Sequence, residues 1–298
     1  MTITRSGMIT LCGRPNVGKS TLTNALVGEK VAIVSRKPQT TRNRICAILN
    51  RGDAQFVFVD TPGLHKPKSR LGDYMVEVVR RSVADVDAVL LLVEPIPNVG
   101  APEQELIDRI RQLDVPAVLV INKIDTVAKE TLLTVMNVYS KAYAFAAIVP
   151  ISAKNHEGVD DLLAVTEHFL APGPQLFPTD MITDQPERQI CAEILREKLL
   201  ICMDKEIPHG TAVEITKFSE RPNGLLDLDA TIYCEKASHK GMIIGKQGAM
   251  LKKISTYARE DIERFMGTKV YLETWVKVKE NWRDNLNQVQ NFGYKQDS

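Results

Sequence analysis

The sequence predicts an α/β domain with a mostly parallel sheet and helices on both faces, followed by a smaller α+β domain. Three observations predict this arrangement. Short apolar strands alternate with amphipathic helices over about the first 170 residues, a segment rich in proline follows at 171–178, and the order of elements then changes. Alternation of strands and helices is typical of a parallel sheet covered on both faces. A chain of 298 residues also exceeds what one compact domain usually needs.

The first domain has a regular succession of predicted elements. The run NRGD at 50–53 lies between two strand-like runs and predicts a hairpin, which adds an antiparallel edge to the sheet. The predicted strands are MITLCG, ICAIL, QFVFVD, AVLLLVE, PAVLVINK and AIVPISA, and the predicted helices cover about 19–26, 72–82, 102–113, 129–140 and 158–170.

The second domain begins with a helix, ERQICAEILREKLLICM, and continues with two strands, AVEITKF and LDATIYCEK. A short helix before Gly245, a longer one from about Gly248 to Phe265 and a last strand, KVYLETWVKVK, complete it. The proline-bearing segment between the domains is typical of a linker. We therefore predict a first domain over 1–172, a linker over 173–185 and a second domain over 186–298.

Composition restricts the function classes. The net charge is +1, so binding of nucleic acid requires a local basic patch rather than a basic surface overall. The five cysteines contain no C-x-x-C pair, which argues against a zinc site and favours a reducing compartment. The longest apolar run is too short to span a bilayer, so we expect a cytosolic protein, with attachment to a membrane surface left open.

The clearest motif is GRPNVGKS at 13–20, which fits G-x-x-x-x-G-K-[ST] and lies between a predicted strand and a predicted helix. Glycine-exposed backbone N–H groups in such a loop surround phosphates, the lysine reaches the β and γ oxygens, and the hydroxyl that follows binds Mg²⁺. The motif predicts a nucleotide site formed by Gly13, Arg14, Pro15, Asn16, Val17, Gly18, Lys19, Ser20 and Thr21.

Three further motifs follow in the order that a guanine-nucleotide site requires. DTPGL places Asp60 at a strand end, where it can hold Mg²⁺ through water, and Gly63 where its N–H can meet the γ-phosphate. In NKID, the carboxylate of Asp125 can accept both protons that guanine offers and adenine lacks, which disfavours a P-loop ATPase or kinase. The third motif, ISAK, places Ser152, Ala153 and Lys154 where a backbone N–H can donate to guanine O6. The predicted contacts from these motifs are Asp60, Thr61, Pro62, Gly63, Leu64, Asn122, Lys123, Asp125, Ser152, Ala153 and Lys154.

With these motifs in sequence, the first domain resembles the small GTPases related to translation factors. The resemblance implies that Gln39 to Asn43 form an effector loop in which one threonine closes on Mg²⁺; we favour Thr41, with Thr40 second. It also implies that Lys19, Thr41 and Gly63 support the transition state. Leu64 stands where Ras-like proteins carry the glutamine that orients water. We therefore name no catalytic base and expect slow intrinsic GTP hydrolysis.

A second glycine loop, GMIIGKQGAM at 241–250, lacks the G-K-[ST] ending and lies between a short helix and a long one. It resembles the G-x-x-G loop of type II K-homology domains, which clamps an RNA backbone. Lysines cluster around it without an acidic residue between 236 and 253. The resemblance implies RNA contacts by Ile244, Gly245, Lys246, Gln247, Gly248, Lys252 and Lys253, while contact with a protein is the alternative use of the same fold.

We expect the RNA bases to lie between this loop and the strand LDATIYC. Ile243 and Ile244 fit both the floor of that groove and the core. Trp275 and Trp282 are expected to be packing residues.

The whole chain resembles the Era family of bacterial GTPases, in the motifs above and in the segment ITDQPERQICAEILREKL. The resemblance implies GTP, GDP and Mg²⁺ as ligands and the 3′ end of small-subunit ribosomal RNA, within 30S assembly, as partner. It further implies control of the RNA-binding domain by the nucleotide, a monomer, and in some members a loose contact with the inner face of the membrane. An alternative is an RNA-binding assembly factor for which GTP hydrolysis is incidental.

Overall fold

The N-terminal half is built on one sheet whose central strands are parallel. The computed structural model describes residues 2–63, 67, 69–82 and 86–294. Within these residues the strand order is β2-β3-β1-β4-β5-β6, with β2 antiparallel to β3 and a short β7 antiparallel to β1. The strands are β1 (Arg5–Gly13), β2 (Ile45–Arg51), β3 (Ala54–Asp60), β4 (Ala88–Val93), β5 (Ala117–Ile121), β6 (Ala147–Pro150) and β7 (Ala171–Pro172). The predicted parallel sheet with an antiparallel edge is confirmed.

Helices cover both faces of this sheet. Alternate residues of β4 point to opposite faces: Leu90 and Leu92 lie in one apolar cluster, and Val89 and Leu91 lie in another. The first cluster includes residues of α1 and α5, and the second includes residues of α3 and α4. The helices of this half are α1 (Lys19–Val27), α2 (Arg70–Arg81), α3 (Ala101–Leu113), α4 (Lys129–Ala142) and α5 (Val159–Glu167).

The proline-bearing segment after β7 is fixed along β2 and β3. The buried side chain of Gln55 accepts the N–H groups of Leu176 and Phe177 at 2.7 and 2.9 Å and donates to the carbonyl of Phe177 at 2.9 Å. Asp184 accepts the N–H of Cys46 at 2.9 Å. These bonds satisfy the backbone N–H groups of Cys46, Leu176 and Phe177. The sequence predicts a linker at 173–185 and does not predict that it is bonded to the sheet.

The C-terminal half has a three-stranded sheet in the order β10-β9-β8 among the residues described. β10 runs parallel to β9, and β8 runs antiparallel to it. The elements are α6 (Glu187–Cys202), β8 (Ala212–Glu220), β9 (Leu226–Cys234), α7 (Ala237–Ile244), α8 (Ala249–Met266), β10 (Val270–Val278) and α9 (Leu286–Asn291). Apolar residues of α6, α8 and the sheet form one core, as the predicted α+β fold requires.

The chain forms two compact units that are not contiguous in sequence. The first comprises Met1–Ala32, Thr41–Lys66 and Met75–Asp184; the second comprises Ile33–Thr40, Pro67–Tyr74 and Gln185–Ser298. Two short segments from within 1–172 therefore belong to the second unit. A division of the chain into contiguous domains cannot include this exchange. The boundaries 1–172, 173–185 and 186–298 stay a prediction.

The two tryptophans have different environments. Trp282 is fully buried, and its indole N–H donates to the carbonyl of Gly210 at 2.9 Å. Trp275 lies on β10 and is 56% exposed. The expectation of a packing residue is thus right for Trp282 and wrong for Trp275, because β10 alternates buried and exposed positions and Trp275 falls on the exposed face.

In the part of the chain that the structure describes, no helix combines the length and the apolar character that crossing a bilayer requires.

Candidate functional site

The phosphate loop joins the end of β1 to the start of α1. Gly18 precedes the helix with φ of 101°, in the left-handed region that favours glycine. A Cβ at Gly18 would lie 2.2 Å from Nδ2 of Asn122, so this position also requires a residue without a side chain. The residue itself is only partly buried. Free N–H groups at the start of a helix bind anions, which is the property that a phosphate site needs.

Lys19 directs its ammonium group back over this loop. Its Nζ donates to the carbonyls of Gly13 at 3.1 Å and Arg14 at 3.0 Å. Burial lowers the pKa of Lys19, and the neighbouring Asp60 carboxylate opposes that shift. A buried cation beside exposed amides is arranged to attract a polyphosphate.

Three oxygen-bearing side chains meet at the end of β3. Ser20 Oγ lies 2.8 Å from Thr41 Oγ1 and 2.7 Å from Asp60 Oδ2, and Thr41 Oγ1 lies 3.5 Å from the same carboxylate oxygen. The other oxygen of Asp60 is buried, and it has no hydrogen-bond partner among the residues that the structure describes. Burial raises the pKa of Asp60 to about 6, against the opposing effects of Lys19 and the two hydroxyls. Hydroxyl and carboxylate oxygens are ligands that Mg²⁺ accepts, so these residues fit that ion.

The structure distinguishes the two threonines of the effector loop. Thr41 Oγ1 lies with Ser20 and Asp60, whereas Thr40 Oγ1 donates to the carbonyl of Lys37 at 2.7 Å and lies 2.8 Å from Ser35 Oγ. This geometry favours Thr41 as the residue that reaches the magnesium site. Its role as a ligand stays a prediction.

The predicted guanine-binding residues come together after β5 and β6. Ser152 Oγ donates to Asp125 Oδ1 at 2.7 Å, which holds one oxygen of this exposed carboxylate. Lys123 Nζ donates to the carbonyl of Asn16 at 2.7 Å and pairs with Glu94. The arrangement leaves a carboxylate at the loop edge that can accept two N–H groups of a base.

Asn122 has a role that its motif did not reveal. Its Nδ2 donates to the carbonyl of Val17 at 2.8 Å, and its Oδ1 accepts the N–H of Ala153 at 3.0 Å. This buried side chain therefore ties the phosphate loop to the loop after β6. The contact joins residues far apart in sequence, so only the fold could identify it.

The remaining predicted residues of the site divide by environment. Thr61 is buried and donates to the carbonyl of Leu11 at 2.8 Å, so its side chain supports the strand rather than facing a ligand. A Cβ at Gly63 would lie 2.6 Å from Pro15 N, which shows how closely this backbone approaches the phosphate loop. Val17 and Pro62 are buried, Asn16 and Lys154 are exposed, and Arg14 and Thr21 are intermediate. Leu64 lies outside the described residues.

One acidic residue was missed. Glu103 of α3 is almost fully buried, and its Oε1 lies 3.2 Å from Arg14 Nε. This ion pair fastens the phosphate loop to α3. Arginine at a phosphate-loop position offered a signal, but no spacing in the sequence points to its partner.

The second glycine loop connects α7 to α8. Gly248 stands directly before α8 with φ of 77°, and a Cβ built on it meets no atom of the described residues within 4 Å. Lys246 and Gln247 are exposed, and Gln247 also has a positive φ of 50°. The loop thus presents its backbone and a cation to solvent, as a clamp on a phosphodiester backbone would need.

A cavity of about 390 Å³ begins at this loop and follows α8. The sequence predicts that RNA bases lie between this loop and the strand LDATIYC, which is β9, and that position stays a prediction. The cavity is bordered by β10, because β10 pairs with β9 and takes the sheet edge beside α8. Its lining residues are Gly248, Leu251, Lys252, Ser255, Thr256, Arg259, Leu272 and Thr274.

Gly248 and Lys252 are thus the predicted RNA contacts that line the cavity, and the lining also includes polar residues that the sequence analysis did not name. Ser255, Thr256 and Arg259 follow Lys252 at helical spacing, so the 3.6-residue period of α8 could have identified them. Lys253 is exposed but lies outside the lining, with its Nζ 5.8 Å from the ring of Tyr257. Ile243 belongs to the core, and Ile244 packs against that core while only partly buried.

Comparisons with known proteins match both halves of the chain. Residues 8–123 match the family described as 50S ribosome-binding GTPase, and residues 206–283 match the KH domain family. Over 291 residues, the chain is 50% identical to GTPase Era of Ruminiclostridium cellulolyticum, with 98% of each protein covered. It is 52% identical to GTPase Era of Clostridium kluyveri, with coverage of 98% of this chain and 99% of that protein.

The chain belongs to the Era family of GTPases. A solved structure described as Era in complex with MgGDPNP and nucleotides 1506–1542 of 16S ribosomal RNA is 37% identical. It covers 98% of this chain and all of its own, with a TM-score of 0.94. The family resemblance, the fold class and the assignment as a GTPase, which converts GTP and water to GDP and phosphate, are thus confirmed.

Proposed function

We propose that this Era-family GTPase binds the 3′ end of small-subunit ribosomal RNA with its second domain and acts in 30S assembly under control of GTP. The observation that carries the proposal is the presence of two glycine loops in one chain, each opening a helix toward solvent. One ends in a buried lysine beside a carboxylate and hydroxyls, and the other opens onto a groove with basic and hydroxyl side chains.

In the first domain, the backbone of Gly13 to Ser20 and the Lys19 ammonium group would hold the phosphates of GTP or GDP. Ser20 and Thr41 would bind Mg²⁺ directly, and Asp60 would do so through water. Mg²⁺ bound there would neutralise charge on the β- and γ-phosphates. Asp125, fixed by Ser152, would accept the base, and the N–H of Gly63 would meet the γ-phosphate.

In the second domain, the loop from Gly245 to Gly248 would clamp the RNA backbone, while Lys252 and Arg259 would neutralise phosphates along the groove. The hydroxyls of Ser255 and Thr274, which lie 2.8 Å apart, can exchange their mutual hydrogen bond for bonds to base edges. We infer that the domains correspond to 1–172 and 186–298. We further infer a monomer that acts in the cytoplasm and contacts the membrane only at its surface.

The RNA site is tested by Gly248→Asp. A carboxylate at this position would face the RNA backbone, and the open space around Gly248 accommodates the side chain. We expect RNA binding to be lost and the dissociation constant for GTP to stay within twofold, measured by filter binding and by calorimetry.

Gly224→Asp is the matched control for that variant. Gly224 has nearly the same φ, 76°, and equally open surroundings, but it lies in the turn between β8 and β9. It should retain RNA binding. Equal RNA affinity in Gly248→Asp and wild type would show that the glycine loop does not hold RNA.

The base specificity is tested by Asp125→Asn. The amide keeps one acceptor but loses the charge, so GTP affinity should fall about a hundredfold, as expected for two charge-assisted hydrogen bonds of about 1.5 kcal/mol each. Xanthine carries a carbonyl where guanine carries its amino group, so xanthosine triphosphate should gain affinity. Unchanged GTP affinity in a competition titration would contradict the assignment of Asp125.

A further inference from the structure

α6 carries three consecutive charged residues in its buried part. Arg196, Glu197 and Lys198 expose 0, 4 and 10% of their side chains. Burying a charge costs several kcal/mol unless it is paired and hydrogen-bonded. Each of these charged groups therefore needs a bonding partner, and the partners show which segments of the chain α6 contacts.

Two of the partners are backbone groups of residues 33–40, which we call the docking segment. Arg196 Nη2 donates to the carbonyl of Thr40, while the same guanidinium pairs with Glu193 through Nε at 2.8 Å. Glu197 Oε1 accepts the N–H of Val34 at 2.8 Å. The contacts grip opposite ends of the docking segment and do not depend on its side chains.

A third contact comes from the segment itself. Lys37 Nζ donates to the carbonyl of Met203, the residue that follows α6, and lies 3.3 Å from Asp204 Oδ1. A cation at the C-terminal end of a helix satisfies a carbonyl that the helix leaves unpaired. The hydroxyls of Ser35 and Thr40 close the segment into a turn, at 2.8 Å from each other.

Glu197 also connects the docking segment to the helix of the proposed RNA site. Its Oε2 accepts from Lys198 Nζ at 2.7 Å, and Lys198 donates in turn to Asp261 of α8. One buried carboxylate thus bonds both the backbone of Val34 and the ion pair that joins α6 to α8.

Thr41 follows Thr40 in the chain, and its hydroxyl lies with Ser20 and Asp60. We propose that Arg196, Glu197 and Lys37 are positioning residues that hold the docking segment in the conformation in which Thr41 reaches Mg²⁺. This inference rests on the proposed binding of Mg²⁺–GTP. Because Thr41 would reach the ion only with the γ-phosphate bound, docking on α6 and binding of GTP would stabilise each other, whereas GDP binding would not require docking.

The test uses two variants of the full chain. Lys37→Met keeps the aliphatic stem and removes the cation. Arg196→Lys keeps a buried charge, but an ammonium group lacks the fork that reaches Glu193 and Thr40 together. With Mg²⁺ present, we expect each variant to bind a non-hydrolysable GTP analogue about ten- to fifteenfold more weakly, as loss of one charge-assisted bond implies, and GDP within twofold of wild type.

Lys141→Met removes an exposed lysine of α4 and is the control, with both affinities unchanged. Equal losses for GDP and the GTP analogue, or no loss in either variant, would overturn the inference. If either variant fails to fold, amide exchange in the wild type decides: Val34 N–H should exchange more slowly with the GTP analogue than with GDP, and equal rates would refute the proposal. A wild type that does not bind Mg²⁺–GTP would instead refute the proposed function.

Discussion

The Asn122 side chain lies so close to Gly18 that a Cβ on Gly18 would be 2.2 Å from its Nδ2. The Asn122 side chain is held at both ends, by Val17 and Ala153, and so has little freedom to move away from Gly18. The close distance is therefore a built-in constraint on the phosphate loop. Nucleotide binding by the phosphate loop in this conformation therefore depends on glycine at residue 18.

Gly18→Ala should weaken nucleotide binding about a hundredfold. The new Cβ would displace the Asn122 amide, and the positive φ would add backbone strain. Together these effects should raise the free energy of the nucleotide-binding conformation by about 3 kcal/mol. Calorimetric titration with GDP measures the loss.

Gly28→Ala provides the comparison for Gly18→Ala. Gly28 also has a positive φ, 77°, but in the described part of the chain no atom lies within 4 Å of its Cβ position. It should lose some stability and keep its nucleotide affinity. Similar affinities for the two variants would mean that the contact with Asn122 does not constrain the loop.

At the scale of elements, α6 and α8 are joined by charge as well as by apolar packing. Lys198 pairs with Glu197 and Asp261, and all three side chains are largely buried. Removing one partner of a buried network leaves charges that water no longer solvates. An ion pair inside a helix interface therefore makes the interface sensitive to single substitutions.

Lys198→Met should lower the free energy of unfolding of the second domain by about 3 kcal/mol, because Glu197 and Asp261 would lose their shared cation. Both tryptophans of the chain, Trp275 and Trp282, lie in this domain, so tryptophan fluorescence in urea reports its unfolding.

The control is Lys269→Met in the same domain. Lys269 is 80% exposed, and its pair with Glu263 should contribute less than about 1 kcal/mol. A small effect of Lys198→Met, equal to that of Lys269→Met, would show that the buried network is dispensable.

At the scale of the whole molecule, a chain that binds both GTP and RNA must obey linkage. If RNA changes the affinity for GTP by some factor, GTP changes the affinity for RNA by the same factor, and such factors are typically about 5- to 150-fold. We expect the GTP analogue to bind more tightly than GDP when RNA carrying the 3′ end is present. Titrations of each ligand with and without the other measure both factors.

Absence of any difference would separate the two functions and favour an RNA-binding factor whose GTP hydrolysis is incidental. Release of phosphate measured with and without RNA tests the same point for turnover, to which equilibrium linkage does not apply.

Local sequence determined the chemistry of both glycine loops, the order of the elements and the choice of guanine. Each depends on residues within one turn or one strand end, such as Lys19 after Gly18, or Asp125 after Asn122, where spacing alone sets geometry. The two glycine loops could therefore be located without a structure.

Tertiary structure alone decided that β10 borders the groove, that Asn122 ties two loops together and that residues 33–40 dock on α6. The physical reason is that these contacts join residues far apart in the chain. The partner of a buried charge such as Glu197 depends on how every element packs, and no local period or spacing records it.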